Sequence, residues 1–123
     1  MIINNVIYVD GIRVASPVTV EETIDLCDSL HGMAWIGLYS PTRDEFEAVA
    51  REFGLHELAV EDAVVAHQRP KLEQYGSTWF VVLRTAHYVD PQEIIEFGEI
   101  HLFIGKNFVV AVRHSEHQDL KIV

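Results

Sequence analysis

Apolar and polar residues change period along this chain, and each change marks a predicted element. Val6-Ile7-Tyr8-Val9 and Ile12-Arg13-Val14 flank Asp10-Gly11, a dipeptide that tolerates the positive φ of a tight hairpin. Two short strands are therefore predicted there. Thr19 and Glu22 have capping-box spacing, followed by apolar positions at Ile24 and through 26–30, which predicts a helix closed by Gly32. Residues 34–39 carry no charge and read as an interior strand. Thr42 and Glu45 repeat the capping spacing, and Phe46, Val49, Ala50 and Phe53 then recur at steps of three and four, giving one apolar helix face that Gly54 ends. A third helix is predicted over 57–66. Pro70 bars a helical conformation at Arg69 and turns the chain into extended structure.

The second half reads as hairpins. Residues 71–75 and 78–89 bracket Gly76-Ser77, and 94–104 and 108–113 bracket Gly105-Lys106-Asn107, each a strand–turn–strand pattern. Ser115, Glu116 and Asp119 have the pattern of a further helix start. Early alternation of helix and strand followed by late hairpins predicts a mixed sheet covered by helices.

Composition narrows the function classes. A chain of 123 residues fits one domain spanning 1–123. Its 19 acids against 9 bases, net −10, argue against nucleic acid, whose binding depends on Lys and Arg neutralising phosphates. The charge suits cations or basic partners, or serves solubility alone. Cys27, the single cysteine, is expected to be a small buried hydrophobe. The amino terminus, Met-Ile-Ile-Asn-Asn, lacks a signal-peptide pattern, so the cytoplasm is the expected compartment. The longest apolar runs, at 79–83 and 108–112, are five residues, against the roughly 18 to 20 that a bilayer requires. The chain is not expected to conduct ions by itself.

Glu61 and Asp62 are the first chemical candidates. Neighbours on a helix point about 100° apart, so the two carboxylates do not grip one ion from the same side. Asp62 falls on a stripe with Leu58 and Val65, where an acid needs a counter-charge, a cation or a subunit boundary. Glu61 follows Glu57 by one turn, so the like charges repel. The alternative is that both acids are solvated or paired with Arg69 or Lys71. Arg69, Pro70, Lys71 and Glu73 read as a structural corner, and Trp79, Phe80, Val82 and Leu83 as sheet core. His114 and His117, with Glu116 between them and His101 on a strand, supply only part of a zinc site, which needs four converging ligands. A solvated terminal segment is the competing reading. No P-loop, dinucleotide glycine loop, Gly-x-Ser-x-Gly or His-Glu-x-x-His occurs, and an enzyme is not expected.

The order of features from Leu55 to Arg84, an acidic pair, Arg69-Pro70-Lys71 and the strand Trp79-Phe80-Val81-Val82-Leu83, resembles the cytoplasmic amino-terminal domain of CorA-type divalent-cation transporters. Trp35-Ile36, Pro41, Glu45 and Phe53-Gly54 extend the resemblance upstream, and the Gly105-Lys106-Asn107 hairpin extends it to about His114. The first thirty residues match loosely. The resemblance implies an α/β/α sandwich with a mixed β-sheet. It also implies that the acids matching Glu61 and Asp62 lie near protomer boundaries and help bind regulatory divalent cations, Asp62 foremost, with a partner acid on a stalk helix. Weakly bound Mg²⁺ is the implied ion, with Co²⁺ or Zn²⁺ as alternatives. The implied parent is a homopentamer at the cytoplasmic face of the membrane, reaching the bilayer through a carboxyl-terminal region absent here. This chain alone is expected to be soluble, as a monomer or dimer. Gly32-Met33 is followed by Ala34 and is no trace of the family's Gly-Met-Asn signature. The rival readings are a zinc-transporting relative, a metal-dependent enzyme, and a plain interaction domain, the last favoured if Asp62 is paired internally.

Overall fold

The computed structural model describes residues 1–65 and 68–115. Over these the chain runs β1(Ile2–Val9), β2(Ile12–Ala15), α1(Val20–Leu30), β3(Met33–Tyr39), α2(Arg43–Phe53), α3(Glu57–Val64), β4(Lys71–Tyr75), β5(Thr78–Val89), β6(Ile94–Ile104) and β7(Phe108–Ser115). The strands form one sheet in the order β2-β1-β3-β7-β6-β5-β4. β3 and β7 run parallel at its centre, and the other neighbours are antiparallel. This is the mixed sheet with helices that the sequence pattern and the resemblance predict.

Local chemistry sets the boundaries. Thr42 caps α2 with a complete capping box, its hydroxyl accepting from Glu45 N while the Glu45 carboxylate accepts from Thr42 N. Gly54 closes that helix at φ 63°, a conformation costly for residues with a Cβ. Thr19 caps α1 by accepting from Glu22 N. The end of α1 differs from expectation, because His31 and not Gly32 adopts the left-handed turn, at φ 52°. Gly32 is required for space: a Cβ there would stand 2.8 Å from the Tyr8 carbonyl oxygen and 2.9 Å from Ile7 Cγ2. Ser115 is the last residue of β7, and the helix expected to begin there falls outside the described residues. Glu116, His117 and Asp119 lie outside the described residues, as does Ala66, the expected end of α3.

Cross-strand partners share a face of the sheet, and two buried rows cross it: Ile36, Val110, Phe103 and Phe80, then Leu38, Val112, His101 and Val82. Phe46, Val49 and Ala50 of α2 and Ala59, Val60 and Ala63 of α3 complete one core with the apolar members of these rows. Cys27 of α1 packs with Ile7 and Ala34 beside it. Phe103 anchors the stack, with ring centroids 5.6 Å from Phe46 and 4.8 Å from Phe80. All three described helices therefore lie on the same face, so the mixed sheet with helices holds but, among the described residues, the second helical layer of the implied α/β/α sandwich is not seen. The alternate positions point away from the helices, so Trp79 and Leu83, expected in the core with Phe80 and Val82, are 41% and 44% exposed. Strand period, which sends neighbours to opposite faces, accounts for the split.

Truncating Phe46, fully buried between α2 and the sheet, is expected to cost about 3–5 kcal/mol. Leu72→Ala, at a position 63% exposed on the edge strand, should stay within about 0.5 kcal/mol. Urea denaturation of both variants checks the assigned face, and equal losses would show that it is wrong.

Candidate metal-responsive site

α3 is short and begins at a histidine cap. His56 Nδ1 accepts from Leu58 N at 3.1 Å, and its ring stacks on Tyr75 at 4.4 Å. The helix buries Ala59, Val60 and Ala63, while Leu58 and Val65 are 59% and 56% exposed. The stripe expected to bury Asp62 thus faces outward, and Asp62 sits at the border between core and solvent.

Lys71, on the strand just past the Pro70 corner, supplies the counter-charge. Its Nζ stands 2.5 Å from Asp62 Oδ2 and 2.6 Å from Glu73 Oε1. Tyr75 donates its hydroxyl to Glu73 Oε2 at 2.8 Å. One ammonium is therefore shared by two carboxylates. The hydrogen bond to Asp62, then the one to Glu73, holds the Lys71 ammonium above the usual lysine range. The hydrogen bond from Lys71, then that from Tyr75, holds the Glu73 carboxyl below the usual carboxylate range. Of the two cations proposed for this role, Lys71 makes the pair.

Glu61 is exposed and does not share Asp62's pairing. It lines an open hollow of about 340 Å³ between α2 and α3, with Arg43, Glu47, Arg51, Leu55 and Glu57 around it. Arg43 is engaged by Glu47 at 3.4 Å. The structure thus keeps Glu61 and Asp62 on neighbouring faces of α3, with different surroundings.

Beneath α3 lies a polar node of which the sequence reading named His101 and His114, as parts of an incomplete zinc site, but not Glu99. Glu99 and His101, both on β6, are 1% and 0% exposed. Glu99 Oε1 accepts from Gln68 N at 2.9 Å and from Arg84 Nη1 at 3.1 Å, and its other oxygen meets His101 Nε2. His114 on β7 donates from Nε2 to the Ala63 carbonyl at 2.8 Å. A carboxylate and an imidazole two apart, on the face that also buries Phe103, are a visible break in the apolar alternation of β6. That is the signal by which sequence could have found Glu99 and joined it to His101.

Among the described residues, no set of three or more His, Cys, Asp and Glu side chains stands close enough to hold a metal ion. No described helix is long and apolar enough to cross a membrane.

Against known proteins, the sequence model of the CorA-like Mg2+ transporter protein family matches residues 31–122. The chain belongs to that family. The CorA-like chain is 34% identical over 77 residues to the cobalt/magnesium transport protein CorA of Thermotoga maritima, covering 62% of this chain and 22% of that one. It is 37% identical over 71 residues to the magnesium transporter ALR1 of Saccharomyces cerevisiae, covering 57% and 8%. The chain therefore spans less than a quarter of either relative. The solved soluble domain of CorA from Methanocaldococcus jannaschii superposes with a TM-score of 0.61 at 12% identity, over 91% of this chain and 40% of that one, which supports the shared fold.

The buried node predicts a pH dependence for the CorA-like domain. Desolvation pulls His101 below the ordinary histidine value of 6.5, partly offset by Glu99 and Asp62 and reinforced by His114. The folded protein then binds the His101 proton less readily than the unfolded chain. Its contribution is complete above the unfolded value and is lost as pH falls below about 6.5 towards the folded one. Urea midpoints measured between pH 7.5 and 5 should decline, and His101→Gln should flatten that decline relative to wild type. Parallel curves would remove His101 as the cause.

Proposed function

We propose that this chain is the cation-responsive regulatory part of a CorA-like magnesium or cobalt transporter, with α3 as the sensing element. The observation that carries this reading is the sharing of one ammonium, Lys71, by Asp62 and Glu73, beside an exposed Glu61. The two carboxylates beside Lys71 exceed its charge, and the element is acidic overall.

The donors suit the ion. Mg²⁺ takes oxygen ligands in octahedral geometry and keeps several waters, so one or two carboxylates per protomer give weak, largely hydrated binding. Asp62 and Glu61 would each hold an ion on its own side of α3, Asp62 foremost and giving up Lys71 to do so. Because the two acids diverge around α3, water or a second protomer completes the shell, which favours a boundary between subunits of a homopentameric parent at the cytoplasmic membrane face. Bound cation would then favour one arrangement of protomers, and depletion would let acidic surfaces repel. The family is one of transporters, which supports a transport role over the metal-dependent enzyme reading. A zinc-carrying parent would use the same scheme with a different cargo.

The Asp62–Lys71 pair also supports a second reading, an interaction domain whose acid is already neutralised. Calorimetric titration of Mg²⁺, Co²⁺ and Zn²⁺ into wild type, Asp62→Ala and Lys71→Met, with oligomer mass followed in parallel, separates the two. Sensing predicts weak Mg²⁺ binding or association in wild type, its loss in Asp62→Ala, and binding strengthened about three- to tenfold in Lys71→Met, where the competing cation is gone. Identical behaviour in all three proteins would leave the interaction reading.

A further inference from the structure

We propose that His101 and His114 form a nitrogen-donor site for a borderline-soft divalent cation such as Zn²⁺ or Co²⁺, set between β6 and β7 beneath α3. The proposal stands apart from the carboxylates of α3 and does not rest on their binding Mg²⁺.

Ring chemistry gives the first argument. The Ala63 carbonyl can only accept, so the His114 Nε2 that meets it carries the proton. Glu99 already accepts from Gln68 N and Arg84, and as a carboxylate it accepts from His101 Nε2 as well. In the neutral ring, a protonated Nε2 leaves Nδ1 as a bare lone pair. His101 Nδ1 is buried and has no hydrogen-bond partner, a costly state for a polar atom. An imidazole whose other nitrogen donates to a carboxylate or a backbone carbonyl is the arrangement that orients metal-binding histidines. Both rings have it.

Geometry gives the second. The two ring centroids stand 5.3 Å apart at 72°. With zinc–nitrogen bonds of about 2.0–2.1 Å, each centroid lies roughly 3.2 Å from the metal, and a tetrahedral angle then separates the two centroids by about 5.2 Å. The sequence reading grouped His101 and His114 with His117 and Glu116, the last two of which lie outside the described residues. Strand register seats His114 opposite Glu99, two residues from His101 on the same face. His114 is only half-buried and provides the side of entry.

Two protein nitrogens leave the remaining positions to water, so binding would be weaker than at a four-ligand structural zinc. Mg²⁺, which prefers oxygen and sheds water reluctantly, would be rejected. An ion held here would fix His114 against the Ala63 carbonyl and so brace the helix carrying Asp62.

The test is titration of the 123-residue chain with Co²⁺, read by its visible absorption, and with Zn²⁺, read by the ¹⁵N shifts of the histidine side chains. The expected result is one equivalent bound, with a shift at His101 Nδ1, resistance to about a hundredfold excess of Mg²⁺, and affinity at least about tenfold weaker in His101→Gln and in His114→Gln. Glutamine keeps a donor for Glu99 or Ala63 in each variant. Unchanged affinity in either folded variant would assign the ion to other histidines and overturn the site. Displacement by Mg²⁺, or no movement of the His101 Nδ1 signal in wild type, would overturn it without recourse to any variant.

Discussion

A carboxylate buried on the helix-facing side of the sheet fixes the geometry on which the candidate site depends. Glu99 cannot remain charged in the interior without donors on its oxygens, and it takes them from three places. The main-chain N–H of Gln68 ties down the corner after α3, Arg84 ties β5, and His101 fills the second oxygen. Removing any one donor would leave an under-satisfied charge, so the corner and the sheet are held in one register. Pro70 sets the direction of the chain there, and Glu99 sets its position. Lys71 thereby arrives under Asp62.

The same sheet separates two chemistries. Facing the helices, Phe80, Phe103, Val110 and Ile36 make a continuous apolar row, interrupted one row on by His101 and then by Glu99 opposite His114. The interruption occurs where α3 ends and its carbonyls need donors, which His114 supplies to Ala63. Sheet polarity and helix termination are thus solved by one set of side chains, and the acidic face of α3 sits directly above it. Asp62 is half-exposed and balanced by a single lysine at the rim of the core, whereas Glu99 is enclosed in it.

Two kinds of donor group lie within this small region. The α3 carboxylates with Lys71 offer hard oxygen donors near solvent, suited to a hydrated Mg²⁺. The histidines below offer nitrogen lone pairs in a drier setting, suited to softer ions. The distinction is physical and depends on donor type, burial and neighbouring charge together.

Most of the fold was legible in the sequence because its signals are local. The Asp10-Gly11 and Gly76-Ser77 turns, the Thr42–Glu45 box and the Gly54 cap each act within four residues. The alternation of helices and strands followed by hairpins gave the mixed sheet, and the resemblance from Trp35 to about His114 agreed with it. Sequence also nominated Asp62, Glu61 and Lys71, leaving open whether lysine or an external cation answered Asp62. Only tertiary structure decided what depends on register and packing. Trp79 and Leu83 went to the opposite face from Phe80 and Val82, and His31 took the helix end because Gly32 was needed against Tyr8. Lys71 was delivered to Asp62, and His114 was set beside His101. These are contacts between residues 9 to 51 positions apart or more subtle choices between adjacent ones. No local preference specifies them, because they form only once the strands have aligned and α3 has packed down on the sheet.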